Sequence, residues 1–394
     1  HKNRARGGRS TSEKKSRNVV QRASEPQSLS VATTKADGEC LAKSMFILSF
    51  TSILVLTIGV SCKDKNPEPE PEFDKTQILT SVADNNLLPG FLDLKNQTSD
   101  LKTLIQNYIS GSQTTIDFTA IQSKWKDVAR SFQRVRVFDF GPSMDAGFNM
   151  KFGVFPCDTS IIENNITAGT YDLSATTNQN AIGLDALDYL IFRTNAKTQA
   201  DANSAVWSYI LAVVSKMDTE VSSIYTQFQA YRSTFINGTG TSSTSPFSLL
   251  VNAFSREFEL TKNTKIGIPI GNLTLGIVQK GYIENRRSGI ANELLVVNLE
   301  TLQSIFKGTN TVNGFEDYLN EIEKSEVAST INSRFNYLIS TGASWTETIK
   351  SKIDSSLPEL TAYYDYMQGT VVYLKTDMPS SFGVLITYQD NDGD

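Results

Sequence analysis

Gly183-Leu-Asp-Ala-Leu-Asp-Tyr-Leu-Ile-Phe192 is an apolar helical run interrupted by two carboxylates. Asp185 and Asp188 stand three residues apart, so a helix carries them on one face. Acids in such a run are costly to bury unless something pairs or ligates them. Imidazole is not at hand as that partner, because the only histidine of the chain is His1.

Apolar residues repeat at three- and four-residue steps on both sides of this run. Leu101, Leu104, Ile105, Tyr108 and Ile109 form one stripe, with Ser99-Asp100 able to cap it and Gly111 to end it. Phe118, Ile121, Trp125, Val128, Phe132 and Val135 form a second behind Asp117, and Gly141-Pro142 stops it. A long helix is expected near 201–235, with Val206, Ile210, Val213, Met217, Val221, Ile224 and Phe228 on one face. Ser245-Pro246 restarts a helix as N-cap and first residue, striped by Phe247, Leu250, Val251, Phe254 and Phe258. Further stripes run over about 284–306, 314–340 and 358–375. Strand patterns are scarce. The expected class is all-α, in two helical-bundle domains, 76–236 and 247–394, joined by a Gly/Ser/Thr hinge at 237–246. Residues 143–178 show no stripe and are expected to form a long irregular loop in the first domain.

The leading residues have another character. Residues 1–44 hold ten Lys/Arg against four Asp/Glu without apolar periodicity, and are expected to be disordered or non-native upstream sequence. The chain does not begin with Met, so initiation is expected near Leu41 or Met45. Met45 to Val60 is an uncharged apolar run of 16 residues, short for a spanning helix and suited to the core of a signal peptide at 45–61. Ser61-Cys62 fits a lipoprotein signal, in which Cys62 is lipidated and becomes the first residue; a single membrane anchor is the alternative. Alternating Pro and Glu then make 62–75 an extended, solvated tether. The expected location is the cell envelope, with the protein lipid-anchored at an outer-membrane, periplasmic or surface face. Residues 62–394 carry 27 basic and 38 acidic residues, a sign that disfavours nucleic acid as a partner.

Nucleophile templates fail for want of histidine, and no Cys/His spacing suits zinc. Cys157 has neither a basic cluster nor a resolving partner beside it and fits an inert buried thiol. The remaining candidates are carboxylates. Asp185 and Asp188 are open between two roles: ligands to a hard divalent or ferric cation, and partners of an arginine. Arg136, in Arg134-Val-Arg-Val-Phe-Asp-Phe-Gly-Pro142, is the first guanidinium expected to meet them. Asp139 and Asp158 lie beside aromatic, Gly or Pro residues, where capping and turn roles are usual. Lys262, Lys265, Arg286 and Arg287 bracket a polar turn, either a solvated loop or a segment whose Glu284 and Arg286 face the first half across a groove. Tyr388-Gln-Asp-Asn-Asp-Gly-Asp394 looks like a calcium loop but lacks the downstream Glu.

In order, these segments resemble the imelysin family, also called M75 peptidases. The family pattern has a Trp helix running into an aromatic-Gly-Pro turn, matched by Trp125 to Phe140-Gly141-Pro142. It continues with a W-P-x-D turn, here Phe155-Pro156-Cys157-Asp158, and a G-x-H-x-x-E helix, here Gly183 to Asp188. Phe258-Glu259, Lys262, Lys265-Ile-Gly-Ile-Pro269, Glu284 with Ser288-Gly289, and Asp392-Gly-Asp394 resemble the second-half signature, so the likeness spans about 76–394.

The resemblance implies an exported all-α protein of two helical domains with a site in the groove between them, associated with iron uptake and carrying a peptidase label. Here the motif His falls on Asp185, its Glu on Asp188, and Arg136 stands where many members have a Glu. The expectation is therefore a non-catalytic binding or accessory lipoprotein of iron or haem acquisition. Its ligand would be contacted by Asp185, Asp188, Arg136, Asp158, Glu284 and Arg286, and its partners would be the membrane through Cys62 and iron or haem uptake components. Two alternatives remain: a metal-dependent peptidase with Asp185 and Asp188 as ligands, and a structural remnant closed by an Arg–Asp salt bridge.

Overall fold

A computed structural model describes residues 73–111, 117–309 and 312–388. The upstream segment, the signal-peptide core, Cys62, the tether up to Glu72 and the closing 389–394 lie outside the described residues. Helical structure begins at Lys75, inside the expected tether, because the Asp74 carboxylate accepts a hydrogen bond from the Thr76 N–H and caps the first turn.

The first half is built on three long helices, Leu88–Ile109, Phe118–Val135 and Ser204–Ile236, packed side by side. Every residue of the Phe118 stripe is buried, and Asp117 caps that helix by accepting from the Thr119 N–H at 3.1 Å. The Ser204 helix buries its expected stripe from Val206 to Phe228, with Asn203 as its cap. The Gly183–Phe192 helix lies against the Phe118 and Ser204 helices. The second half places Pro246–Leu260, Ala291–Lys307, Ser325–Ala343 and Leu357–Val372 around Phe254, Phe258, Phe306 and Phe335. Among the described residues the extended structure is one ladder of two residues per strand, Gly308–Thr309 against Val312–Asn313.

Several boundaries differ from the sequence reading. Residues 143–178 are not one irregular loop. They form short helices at Pro142–Ala146, Phe148–Phe152 and Thr159–Ala168, leading into a 3₁₀ turn at Thr176–Ala181. Gly147 and Gly169 end two of them in the left-handed region, and segments this short cannot show a periodic stripe. The 284–306 stripe is helical only from Ala291, and 314–340 is split at Ile322–Lys324. The 237–246 segment is a tight reversal closed by the Phe247 N–H donating to the Gly238 carbonyl. Ser245 begins the next helix, but its hydroxyl bonds to that of Ser242 and does not cap it. One apolar cluster runs through both halves, where the chain length alone would allow two separate cores.

Among the described residues three π-helical stretches, Val82–Leu87, Thr261–Gly267 and Tyr373–Asp377, widen the helices that contain them. The Gly183 helix starts differently. Gly183 has φ +78°, and a Cβ there would sit 2.7 Å from the Lys151 and Phe152 carbonyl oxygens. No side chain fits, so this glycine sets how closely the acid-bearing helix approaches the 148–152 turn. Gly183→Ala is expected to lower stability by at least about 2 kcal/mol, from left-handed strain plus the clash. Urea denaturation should show a lower midpoint, and an unchanged midpoint would refute the constraint.

Candidate functional site

The two motif carboxylates are buried, Asp185 at 4% exposure and Asp188 at 0%. Asp185 Oδ2 accepts the Cys157 N–H at 2.9 Å, and the Cys157 thiol donates to the Asp185 carbonyl at 3.5 Å. Asp188 Oδ1 accepts the Ser288 N–H at 2.8 Å and Oδ2 the Arg287 N–H at 3.2 Å. The guanidinium of Arg287 completes the cluster, with Nη1 3.5 Å from Asp188 Oδ2 and 3.9 Å from Asp185 Oδ1. It lies over the ring of Tyr189, 4.9 Å from its centroid.

Arg136 therefore does not meet the pair. It ends the Phe118–Val135 helix as its C-cap, and its guanidinium binds Glu257, Nε to Oε1 at 2.7 Å, and Glu284, Nη1 to Oε1 at 3.3 Å. Lys265, from the π-helical stretch, pairs with the other oxygen of Glu284. Gln133 donates to Glu284 at 3.5 Å and Asn298 to Glu257 at 2.7 Å. Two cations and two anions thus form a buried quartet that joins the last turn of the Trp125 helix to three segments of the second half.

The remaining residues singled out by sequence separate from this centre. Asp158 caps the Thr159–Ala168 helix by accepting from the Ser160 and Ile161 N–H groups. Arg286 turns away and donates to the Gly281 carbonyl. Asp139 pairs with Arg256 at 2.7 Å. Lys265 and Arg287 stood out in the sequence only as cations bracketing a polar turn, without their partners, and Glu257 and Gln133 were missed. Glu257 was open to the same reasoning as Asp185, being an acid three residues past Phe254 on an apolar helix face.

Electrostatics follow from burial and pairing. Burial alone would raise the Glu284 carboxyl, but Lys265 and Arg136 hold it at about 2. Burial would lower Arg136, yet Glu257 and Glu284 keep it above its ordinary value. For Lys265 burial wins, and its pKa falls despite Glu284. Asp188 rises to about 6, first from burial and then from the charge of Asp185, with the two N–H donors and Arg287 opposing. Burial and Asp185 push the Cys157 thiol far above its normal range, so it is no thiolate nucleophile.

A metal fits this arrangement poorly. Both oxygens of Asp188 already accept backbone N–H groups, and a guanidinium within 4 Å of both carboxylates would repel an added cation. Among the described residues no group of three His, Cys, Asp or Glu side chains is placed to hold a metal. Among the described residues, one open space between the halves lies elsewhere. A groove of about 420 Å³ with mixed polar and apolar walls runs between the start of the Leu88 helix and the Ala291 helix, lined among others by Asn85, Asn86, Asp93, Arg134, Val297, Glu300 and Ser304.

Three comparisons bear on this geometry. The sequence profile of the family described as Imelysin matches residues 87–361. No curated protein matches the chain. Among solved structures, an imelysin-like protein from Psychrobacter arcticum 273-4 superposes with a TM-score of 0.67 at 17% identity, covering 81% of this chain and 99% of its own. A candidate iron-regulated protein A precursor from Parabacteroides distasonis ATCC 8503 gives 0.66 at 13% identity, covering 80% and 97%. At these identities the likeness to the two structures is one of fold.

Double-mutant cycles separate the two arginines. Coupling to Asp188 is expected to exceed about 1 kcal/mol for Arg287 and to stay within about 0.5 kcal/mol for Arg136. Arg136→Ala, which leaves Glu257 and Glu284 with one cation, should cost about 3–5 kcal/mol. The pH profile carries opposite signs for the two acids. Asp188, with its folded pKa raised, adds stability below pH 4 that is lost as pH rises through about 6. Glu284, with its pKa depressed, adds stability above about pH 4.5 that is lost as pH falls through about 2. Asp188→Asn should flatten the pH 4–6 limb of a stability profile, and Glu284→Gln the limb below it.

Proposed function

The chain belongs to the imelysin family, and from that premise we propose that it is a non-catalytic binding component of iron or haem acquisition, held at the cell envelope through a lipidated Cys62. The observation that carries the non-catalytic part is Arg287. A guanidinium and two backbone N–H groups engage Asp188, the residue at the position of the motif glutamate. This charge state suits a closed structural joint and opposes the activation of a metal-bound water. The iron-related part rests on the family and on the printed description of the Parabacteroides protein.

Any ligand is then taken by the groove between the halves. Its Asp93 already accepts from Gln97 at 3.2 Å and Ser131 at 2.5 Å, which orients it. Glu300 has no charged partner among the described residues, and Arg134 stands 3.6 Å from Asp93. The groove therefore offers two carboxylates and one guanidinium to an incoming molecule, together with the amides of Asn85 and Asn86.

Calorimetric titration of the full chain with ferric citrate, ferrous ion and haemin is expected to show binding by at least one. That binding should weaken several-fold in Glu300→Ala or Arg134→Ala and persist in Asp185→Ala. Silence with all three probes would remove the iron and haem reading. Incubation with casein is expected to give no cleavage. Cleavage that survives extensive purification and disappears in Asp188→Ala would restore the peptidase. Labelling of the expressed chain with radioactive palmitate should depend on Cys62, and a label retained in Cys62→Ala would refute the anchor.

A further inference from the structure

The loop between the Thr261–Gly267 π-helix and Glu284 presents apolar side chains to solvent. Leu275 is 99% exposed, Ile277 62%, Tyr282 45% and Leu273 41%. Scattered exposed leucines are ordinary, but three aliphatic side chains within five residues form a patch. The loop is also firmly built. The Thr274 and Gly276 N–H groups donate to the Gly271 carbonyl, the Ile277 N–H to Thr274, and the Gln279 N–H to Pro269, while the Thr274 hydroxyl donates to the Ile277 carbonyl. Ile270 and Ile283 sink into the core on either side. At the tip Leu275 has φ +54°, a left-handed conformation that an aliphatic residue adopts only at a cost in energy. A turn whose only aim was to reverse the chain would be better served by Gly or Asn there. The backbone is held in strain while the side chain points outward.

Polarity is graded along the same loop. Aliphatic residues occupy the tip, Tyr282 is half-exposed behind them, and Arg286 donates to the Gly281 carbonyl at the base. Arg286 has no carboxylate partner among the described residues. Lys280, also at the base, is balanced by Asp354. Aliphatic tip, phenol ring and then a cation without a carboxylate partner is the order in which a bilayer changes from acyl chain through interface to anionic headgroup. A protruding tip with a charged base matches a lipid surface better than a partner protein, which would need a complementary groove.

We propose that the 271–286 loop is a membrane-contact element, inserting Leu275 and Ile277 among the acyl chains of an anionic bilayer with Arg286 at the lipid phosphates. It is independent of how the chain is otherwise anchored, and in a tethered protein it would fix which face lies against the membrane.

The test uses a reporter at the tip of the full chain. Leu275→Trp is mixed with vesicles of phosphatidylethanolamine and phosphatidylglycerol, and separately with phosphatidylcholine, each also carrying lipid brominated in its acyl chains. The L275W fluorophore is expected to shift to the blue and be quenched by the brominated lipid on anionic vesicles. A control Leu92→Trp, on a first-half helix, should do neither. Adding Arg286→Gln should raise the lipid needed for half-maximal shift about five-fold, the factor for one basic residue at a charged surface. Adding Leu273→Ser with Ile277→Ser should abolish the shift, with circular dichroism reporting the fold. An unshifted fluorophore overturns the proposal. So does a blue shift that appears without lipid and grows with protein concentration, because the loop would then bind a second copy. Equal response on neutral and anionic vesicles would overturn the role given to Arg286.

Discussion

Burying charge in an apolar helical protein is tolerable only where every charge meets its opposite, and here that condition is met largely by one hexapeptide, Glu284-Asn-Arg-Arg-Ser-Gly289. Glu284 reaches back to Arg136 and Lys265, while Arg287 and the Ser288 N–H reach Asp188. Two clusters that would each destabilise the fold if left unpaired are thereby closed by neighbouring residues. Asn285 occupies the left-handed region between them, with φ +51°, and Gly289 ends the segment with φ +76°. Without those two turns the backbone N–H groups of Arg287 and Ser288 would not both face Asp188.

The joint has consequences for chemistry. Its carboxylates Asp185, Asp188, Glu257 and Glu284 each lie beside an arginine guanidinium. Glu284 is held ionised and the Cys157 thiol is held protonated. Asp188 is the exception, since burial beside Asp185 leaves it ready to take a proton near pH 6. The motif acids here are tied to the second half through Arg287 and Ser288, and one groove between the halves lies apart from them, at Asp93 and Glu300. A single apolar cluster through both halves fits that view, because a brace between separately moving bodies would work against their motion.

Much of the fold was legible from local pattern. Phe118 to Val135 and Val206 to Phe228 lie in the core as their spacing requires, because a stripe repeated over many turns leaves a helix one way to bury itself. The 143–178 segment was not legible as helix, since two of its helices are five residues long and the third only ten, too short for a repeat over several turns. Asp185 and Asp188 were recognisable as acids needing a cation. Their partner was not, since Arg287 lies about a hundred residues downstream, in a stretch that reads as the start of a helical stripe but is a turn up to Ala291. Arg136 was a reasonable first choice by its neighbours, but its position past the last helical turn aims it at Glu257 and Glu284.

The sequence by itself determined the all-α class, the family and the obligation to neutralise two acids on one helical face. These depend on periodicity and on the cost of buried charge, which act within a few turns of chain. Only the tertiary structure decided which cation meets which acid, that Arg287 rather than Arg136 closes the motif, and that Leu275 stands in solvent. Those outcomes depend on where segments far apart in sequence come to rest, and ion pairing is decided over a few ångströms of space that no local pattern encodes.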